Sequence, residues 1–536
     1  MTSVIVLITI FSLLFLPMQA QVKVWQRWTQ NFVSDKVYEN PYSDVTVKIN
    51  FKGPGNIQFN AYCYWVGDQK YSASFSFPKE GKWSWSTSCS DDKNSGLHNK
   101  TGIVKVEKYK GNNPLYYNGF LKVSENNRYL TYDNGKPFLW MGCTAWVGPA
   151  NSTFDEWKEY INDRAKKQFS VIQVTPFQKW VKSDGNNFPK QNLAGEIPFL
   201  TYFSKINPVY WEDLARKIQY ANQQGLVVAI TGLPGWQFYL TNPSDRKIFA
   251  QYITGLFAGN FVIFSPSGDK QYKEDNDLLA RDIDSIDNRH LITQHPDTPT
   301  GKPVNTASEA YYDKPYLDFS MCQSGHNYGK RDICVWNAIH WNLSLFNREP
   351  HKPVVNAESF YHGNPNAGKA HYRGTDTDVR SIGWYSWLSG SLGYTYGALG
   401  LWNWGMTTSE VFVPWKEAMQ LNSSFQMQYM SDFFSKINWW ELEPYPQAIL
   451  NQAQDTLKQM VFAKNKAGTL AVAYMPGNSI MEIDTKILKS AVNVQWFNPR
   501  KNSYSSFPGL LDNQNPHRFE PPGEVENDWV LLMKCK

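Results

Sequence analysis

Several patterns that would assign this protein to a common class are missing from its 536 residues. The six cysteines lie far apart without a CxxC pair, which leaves a zinc site of that type unsupported. No HExxH motif and no dense His/Asp cluster occurs, so no metal or other cofactor is predicted. The formal net charge of +5 is small and the basic residues are scattered, so we predict no nucleic-acid partner.

Long apolar runs are also missing, except at the N-terminus. That run, MTSVIVLITIFSLLFLPMQAQ, ends at Pro17 and is followed by Ala20 and Gln21. It has the apolar core and cleavage site of a secretory signal peptide, although the basic n-region is absent. We therefore predict a signal peptide over residues 1–20 and export to the periplasm, the cell surface or the medium, with a retained signal anchor as the alternative. No later run approaches the length of about 18 apolar residues needed to cross a membrane, so we predict no membrane span in the mature chain. The mature protein is expected to be a monomer.

Aromatic residues are abundant, at 15% of the chain with 22 Trp and 30 Tyr. Aromatic rings pack against the apolar faces of sugars while their polar edges bond hydroxyl groups, so this composition is compatible with carbohydrate binding. The alternative is that the rings fill β-rich cores.

Hydrophobic periodicity divides the chain into three segments after the signal peptide. Residues 21–123 alternate apolar and polar positions in short runs between turns, which predicts an antiparallel β-sandwich. Cys63 and Cys89 both fall in this segment, either as a disulfide or as buried thiols. Short strands return over residues 447–536 and predict a second, smaller β-sandwich. No constellation of polar residues in the first segment supports catalysis, and both sandwiches are expected to brace the middle segment.

The middle segment, residues 124–446, alternates apolar runs with helical patterns. Three helices are predicted, at Trp211–Gln223, Asp245–Leu256 and Ile333–Phe346. Together the runs and helices predict an α/β fold, a (β/α)8 TIM barrel with insertions. The eight runs are PFLWMGCTAW, FSVIQVTPF, LVVAITGLP, NFVIFSPSGD, RHLITQHP, LDFSMCQSGH, KPVVNAESF and GALGLWNWG.

Two carboxylates lie at predicted strand ends. Glu358 ends the seventh run, and Asp269 follows a glycine at the end of the fourth. Because strands four and seven face each other across an eight-strand ring, these side chains are predicted to flank a glycosidic bond, one as acid and the other as ionised partner. Asp269 has a structural alternative as a turn or cap residue. In that case the acid would come from a loop on the same face, at Asp184, Glu196, Asp297 or Glu410.

Polar and aromatic residues at other predicted strand ends are candidates for a sugar pocket, in which rings stack on the substrate and amides or imidazoles bind hydroxyls. Each of them taken alone is more often structural. The predicted substrate-binding residues are Trp146, Gln173, Gln323, His326, Tyr361, Trp402 and Trp404, with Gln294 and His295 on the same face.

Five stretches of the chain are similar to a known family. They are FLKVSENNRYLTYDNGKPFLWMGCTAW, MCQSGH, KPVVNAESFYHG, VRSIGWYSWLSGSLGYTYGALGLWNW and INWWELEP. With them the chain resembles the apiosidase-like glycoside hydrolases, that is glycoside hydrolase family 140 and its relatives with a DUF4038-type barrel. The first segment resembles the DUF5060-type β-sandwich, and AYMPGN with VQWFNPRK resembles the collagen-binding-type domain that follows such barrels. The resemblance implies a retaining mechanism, with Asp269 as acid/base and Glu358 as nucleophile.

Two departures from the family pattern affect the expected substrate. Cys143 in GCTAW replaces an acidic residue, and SPSGD replaces a Leu-Gly-Gly-Asp type ending. Apiose-linked substrates are therefore not assumed. The leading hypothesis is an exported hydrolase of plant or algal cell-wall polysaccharide. The alternative is a non-catalytic carbohydrate-binding or adhesion protein with a drifted barrel.

Overall fold

The computed structural model of the protein describes residues 20–177, 191–201, 203–233, 240–268, 274–295, 307–325, 331–366, 369–406, 412–477, 479–523 and 527–535. Residues 1–19, most of the predicted signal peptide, lie outside this set. Within the described part of the chain, no helix has the length and apolar character needed to span a membrane.

The first segment is built from strands in two sheets. One sheet has the order β1-β8-β7-β3-β4 and the other the order β2-β6-β5. Inward and outward positions alternate along β3 and β7, and Phe51 of the first sheet stacks on Phe75 of the second at 4.3 Å. The strands are β1 (Ala20–Lys23), β2 (Arg27–Val33), β3 (Val47–Lys52), β4 (Gln58–Tyr62), β5 (Tyr64–Gly67), β6 (Lys70–Ser76), β7 (Gly81–Cys89) and β8 (Thr101–Glu107).

Cys63 and Cys89 are both buried free thiols in this segment. Burial raises the pKa of each thiol above its ordinary value. The sequence leaves open a disulfide or two buried thiols, and the structure contains the two buried thiols.

The middle of the chain alternates strands and helices. Its strands are β9 (Leu121–Val123), β10 (Leu130–Tyr132), β11 (Trp140–Thr144), β12 (Val171–Val174), β13 (Phe199–Thr201), β14 (Lys205–Ile206), β15 (Val227–Thr231), β16 (Val262–Ser265), β17 (Ser320–Gln323), β18 (Val354–Glu358), β19 (Tyr361–His362), β20 (Pro365–Asn366), β21 (Lys369–Arg373) and β22 (Gly393–Ala398). Its helices are α1 (Pro114–Asn118), α2 (Gly148–Asn151), α3 (Phe154–Lys166), α4 (Pro208–Gln223), α5 (Pro243–Phe257), α6 (Glu274–Ile286), α7 (Ala307–Tyr312), α8 (Arg331–Asn347), α9 (Asp376–Leu388), α10 (Trp415–Met419) and α11 (Asn422–Ser435).

Helix starts follow local sequence signals. Thr153 and Glu156 form a reciprocal capping box at the start of α3, and Thr375 and Asp378 form another at α9. Asn207 caps α4 just before a proline at the first helical position. The three helices predicted from the sequence are confirmed as α4, α5 and α8.

A parallel sheet runs through this segment in the order β16-β15-β12-β11-β22-β18-β17, with β19 beside β22. All of these neighbours are parallel, and every position of β11, β12, β15, β16, β17, β18 and β22 is buried. Such continuous burial is typical of a parallel sheet covered by helices. The molecule is therefore a mixed α/β protein with one curled parallel sheet and several antiparallel sheets.

The fifth predicted run does not form a regular strand. It nevertheless lies between β16 and the residues that lead into β17. Phe264 N donates to Leu291 O at 3.0 Å, Thr293 N donates to Phe264 O at 2.9 Å, and Asp318 N donates to Ile292 O at 3.0 Å. The run thus bonds to both ends of the ordered sheet.

The eighth strand lies earlier than predicted. GALGLWNWG begins at Gly397, whereas β22 spans Gly393–Ala398 and the chain turns at Gly400, where φ is +93°. The sequence GYTYGA of this strand contains hydroxyl groups that an apolar pattern does not include. In the structure the tyrosine hydroxyls of this buried strand form hydrogen bonds inside the protein. Tyr394 Oη bonds Ser359 Oγ at 2.6 Å, and Tyr396 Oη bonds Ser423 Oγ at 3.0 Å.

The last segment contains a six-stranded sheet in the order β23-β24-β25-β30-β27-β28 and the pair β26-β29. It is joined to the helical layer by buried contacts: Trp384 of α9 stacks on Tyr474 with an interplanar angle of 7°, and Arg380 pairs with Asp528. The strands are β23 (Glu443–Pro444), β24 (Val461–Lys464), β25 (Leu470–Met475), β26 (Met481–Asp484), β27 (Val492–Asn498), β28 (Ser503–Ser506), β29 (Pro516–Phe519) and β30 (Trp529–Cys535).

Candidate active site

Glu358 is the last residue of β18 and lies at the carboxyl end of the parallel sheet. It pairs in register with Gln323, the last residue of β17, and Ser324 N donates to its backbone carbonyl at 2.9 Å. The residue is only 3% exposed. A carboxylate this buried needs polar partners, because transfer of a charge out of water is costly.

The first partner of Glu358 is Tyr361, three residues further along the chain. Tyr361 Oη donates to Glu358 Oε1 at 2.7 Å, and Trp146 Nε1 donates to the same Tyr361 oxygen at 2.9 Å. Burial, followed by the charge of Glu358 and its hydrogen bond, raises the pKa of Tyr361 well above its ordinary value. The phenol therefore stays protonated and acts as a donor to the carboxylate.

The second partner is His295, which follows the fifth run. Its Nε2 lies 3.2 Å from Glu358 Oε2, and its ring meets the Trp146 ring edge-on at 5.3 Å. At this distance the imidazole, when protonated, forms an ion pair with the carboxylate. Each oxygen of Glu358 thus lies against a buried side chain.

The exit of β16 is hydrogen-bonded to the backbone on either side of His295. Ser265 Oγ accepts from His295 N at 3.0 Å, and Ser267 Oγ donates to His295 O at 2.9 Å. Ser267 N in turn donates to Gln294 Oε1 at 2.7 Å. The SPS sequence at the end of β16 therefore fixes the backbone of the residue that contacts Glu358. In the sequence these serines stand out only as a departure from the family pattern.

Two predicted substrate-binding amides lie close to Glu358 in the sheet. Gln173 is buried and bonded to protein on both sides, donating to Ala357 O at 3.2 Å and accepting from Thr395 Oγ1 at 2.7 Å. These contacts tie β12 to β18 and β22. Gln323 is 1% exposed, and its Oε1 has no hydrogen-bond partner within the described ranges.

The two predicted tryptophans after β22 lie in different surroundings. The Trp402 ring is 6.2 Å from Tyr361 at an angle of 30°, and its Nε1 donates to Asn364 Oδ1 at 3.1 Å. Trp402 is partly exposed, so it can form a wall beside the carboxylate. Trp404 stacks on Trp415 at 4.9 Å, and its other described ring contacts are with α3, at Trp157 and Tyr160, rather than with the Glu358 cluster.

Cys143 also faces α3. Its Sγ lies 3.3 Å from Tyr160 Oη and 3.9 Å from an Arg164 nitrogen. Burial raises the pKa of the thiol. This departure from the family pattern therefore lies behind β11, on the helix side, and its described contacts do not reach Glu358.

Several predicted site residues fall outside the described residues: Asp269, His326, and three of the alternative acids, Asp184, Asp297 and Glu410. The fourth alternative, Glu196, accepts from Asn207 at 2.8 Å and lines a cavity beside Arg27 of β2.

The described residues include no group of three or more His, Cys, Asp or Glu side chains placed to hold a metal ion. Among the residues that the structure describes, the cluster around Glu358 thus consists of one carboxylate, its phenol and imidazole partners, and aromatic rings. Such a cluster can present a fixed carboxylate to an electrophilic carbon in a largely dry site.

Solved structures with a similar fold include glycoside hydrolases. One described as "Glycoside hydrolase" has a TM-score of 0.70 at 24% identity and covers 79% of this chain and 98% of its own. A glycoside hydrolase family 5 structure from Bacteroides vulgatus ATCC 8482 has a TM-score of 0.70 at 23% identity, covering 79% and 95%. A "putative glycoside hydrolase" from the same organism has a TM-score of 0.71 at 16% identity, covering 96% and 100%. A comparison with curated proteins found no match.

Family models match all three segments. The model described as a domain of unknown function, DUF5060, matches residues 21–90. The model described as "Putative collagen-binding domain of a collagenase" matches residues 444–534. The model described as "Apiosidase-like, catalytic domain" matches residues 124–441, which is more than half of the chain and includes Glu358. The chain therefore belongs to the apiosidase-like family of glycoside hydrolases.

Proposed function

We propose that this enzyme is exported and cleaves a glycosidic bond in a plant or algal cell-wall polysaccharide by a two-carboxylate, retaining mechanism. Glu358 is the nucleophile and Asp269 the acid/base. The observation that carries the proposal is the buried Glu358 side chain at the carboxyl end of β18, held by Tyr361 and His295. The signal-peptide pattern of residues 1–20 supports export, and we expect the mature enzyme to act as a monomer.

The parallel sheet supports a (β/α)8 barrel. We propose that the fifth run closes the ring, because Leu291 to Thr293 bond to β16 on one side and Ile292 bonds to Asp318, ahead of β17, on the other. In a closed ring the exits of β16 and β18 converge on one face, where barrel enzymes carry their chemistry. The flanking segments, 21–123 and 447–536, are then separate β-rich domains around a catalytic domain of residues 124–446.

The assignment of Asp269 is supported by a short chain of contacts. Ser267 bonds to the backbone of His295, and the His295 ring contacts Glu358. Asp269 follows Ser267 by two residues, a span of at most about 7 Å of backbone. An acid placed there is within reach of a bond whose anomeric carbon faces Glu358.

The reaction then proceeds in two displacements. The Glu358 carboxylate attacks the anomeric carbon while Asp269 gives its proton to the leaving oxygen, which breaks the glycosidic bond and forms a glycosyl ester. Asp269 next removes a proton from water, the water oxygen attacks the same carbon, and Glu358 leaves as a carboxylate. Tyr361 and His295 hold Glu358 in place in both steps. Trp146, Gln173, Gln323, His326, Trp402 and Trp404 remain the proposed contacts to the sugar.

Product release from a panel of pectic, hemicellulosic and algal polysaccharides tests this function. The native enzyme, Glu358→Gln and Asp269→Asn are compared, with Glu196→Gln as the matched carboxylate control. We expect sugar release by native enzyme and Glu196→Gln, and a loss of several orders of magnitude in the other two variants. Glycan binding without sugar release in all four proteins would instead establish a non-catalytic binding protein.

A further inference from the structure

A cavity of about 450 Å³ lies at the end of the parallel sheet opposite to Glu358. It is lined by the turn between β9 and β10, the last turns of α8 and α9, and residues 439–443 and 465–467. Pockets for small molecules commonly measure roughly 300–1,000 Å³, so a short segment of a larger chain molecule fits in this one.

The cavity is separate from the proposed catalytic site. Leu392, which lines it, donates its backbone N–H to Val354 O at 2.7 Å. Val354 begins β18 and Glu358 ends it, and four residues of strand span about 13 Å. A ligand in the cavity therefore lies at the opposite end of the strands from the reacting bond.

Aromatic rings form one wall of the cavity. Trp439 is surrounded by the rings of Tyr129, Trp387 and Trp440, which it meets at angles of 75°, 87° and 85°. Tyr129 and Trp440 are only partly buried. Together these four side chains give the wall an apolar surface whose edges carry the polar groups of phenol and indole rings. Such a surface can pack against the C–H faces of a sugar and bond its hydroxyls.

The rest of the lining is polar and balanced in charge. Arg128 lies 3.9 Å above the Phe346 ring and bonds to the Phe346 carbonyl, and no ion pair is found for it among the described residues. Its remaining N–H groups are available as donors. Glu441 accepts from Asn465 at 3.1 Å and from Asn438 at 2.9 Å, and each carboxylate oxygen has a further acceptor position. Two cations, Arg128 and Lys466, face two anions, Glu441 and Glu443, which favours a neutral polyhydroxylated ligand over an anion.

From this geometry we infer that the cavity is a second carbohydrate-binding site, for a short neutral stretch of the polysaccharide. The inference rests on the proposed function for its ligand class. A chain held here raises the local concentration of its other segments at the catalytic site. The site is built jointly by the middle and last segments, so the last segment does more than brace the barrel.

Calorimetric titration of the full chain tests the inference. The Glu358→Gln protein is titrated with short neutral oligosaccharides prepared from arabinoxylan, galactan and mixed-linkage β-glucan. We expect two binding events per chain on the matching glycan. Adding Trp440→Ala should weaken one event by about tenfold to a hundredfold. Adding Tyr117→Ala, which truncates an aromatic side chain that is 65% exposed on α1, should leave both events intact.

The outcomes separate this inference from the hydrolase proposal. Binding in Glu358→Gln that survives Trp440→Ala unchanged, as one event or as two, would overturn the second site even if native enzyme releases sugar. Loss of one event in Trp440→Ala upholds it even if no polysaccharide is cut. If Trp440→Ala fails to fold, Glu441→Ala decides the matter in the same way, because Glu441 is exposed and its removal leaves the aromatic wall intact.

Discussion

Tyr361 donates a hydrogen bond to Glu358 across only three residues of chain, at 2.7 Å, and is itself bonded by Trp146 at 2.9 Å. The chain leaves β18 at Glu358 and returns in β19, which runs beside β22. This return places the Tyr361 hydroxyl within hydrogen-bond distance of the Glu358 carboxylate. The positions of Glu358 and its donor are therefore set by one short strand-to-strand connection.

Replacing Tyr361 by Phe removes this donor while keeping the ring. We expect kcat to fall by about tenfold to a thousandfold with a much smaller change in KM, because a preorganised donor to a reacting group acts mainly in the transition state. Steady-state kinetics on the substrate identified by product release measures both. Tyr394→Phe is the matched control, since its described hydroxyl bond is to Ser359. Equal losses in the two variants would contradict the role of Tyr361.

His295 is expected to matter as a positioning residue for Glu358. His295→Phe keeps a ring against Trp146 but loses the contact of Nε2 with Oε2. We predict a loss of about tenfold or more in kcat and a changed pH–rate profile. His295→Gln, which can place an amide N–H near the same oxygen, should restore part of the activity. An unchanged pH profile in His295→Phe, with no difference between the two variants, would show that the imidazole does not act on Glu358.

The cluster around Glu358 shows how far sequence reasoning reaches in this protein. The position of Glu358 was predictable, because an apolar run that ends in a carboxylate is typical of a barrel strand at its exit. The contact with His295 was not, since it depends on a fifth run that forms only isolated bonds to its neighbours. The sequence assigns His295 to the same face of the predicted barrel as Glu358 but does not predict the contact between them.

The aromatic residues illustrate a second limit. Their number is compatible with both sugar binding and core filling, and the structure places some rings beside Glu358 and others in the core. Trp402 lies beside Tyr361, whereas Trp404 stacks on Trp415 and contacts rings of α3, although the two tryptophans are two residues apart. The turn that begins at Gly400 separates them, and the sequence placed the strand rather than a turn at this point.

Asp528 is expected to stabilise the contact between the last segment and α9. It is 2% exposed and pairs with Arg380 at 2.8 Å and Arg500 at 2.7 Å. Burial alone would raise the pKa of Asp528, but the charge of Arg380, then that of Arg500 and their hydrogen bonds, outweigh it and lower the pKa. Asp528→Asn should therefore lower the free energy of unfolding by about 3–5 kcal/mol near neutral pH, because it leaves two arginines without their carboxylate.

The pH dependence of this loss follows from the lowered pKa. The stabilisation is fully present above the ordinary carboxyl pKa of about 4 and is lost as the pH falls through the lower folded value. The difference in melting temperature between native protein and Asp528→Asn should thus be constant above about pH 5 and shrink below pH 4. A difference that grows on acidification would be inconsistent with a charged Asp528.

Asp318 should affect the pH dependence of stability in the opposite direction to Asp528. Its Oδ2 accepts from Ile292 N at 2.7 Å, and burial, despite this bond, raises its pKa to about 6. A carboxyl pKa raised in the folded state makes stability fall as the pH rises from about 4 to above 6. Asp318→Asn keeps an acceptor for Ile292 and should stabilise the protein by about 1–3 kcal/mol at pH 7.5 but by little at pH 4. Denaturant unfolding at both pH values measures this, and a loss of stability at pH 7.5 would refute it.

Azide rescue of the two carboxylate variants tests the central claim most directly. Glu358→Ala and Asp269→Ala are each incubated with azide and an activated glycoside of the sugar found by product release, and the anomeric configuration of the glycosyl azide is read by NMR. A nucleophile at Glu358 predicts an azide of inverted configuration from Glu358→Ala, and an acid/base at Asp269 predicts one of retained configuration from Asp269→Ala. The reverse pattern, or no rescue of either variant, would contradict the assignment.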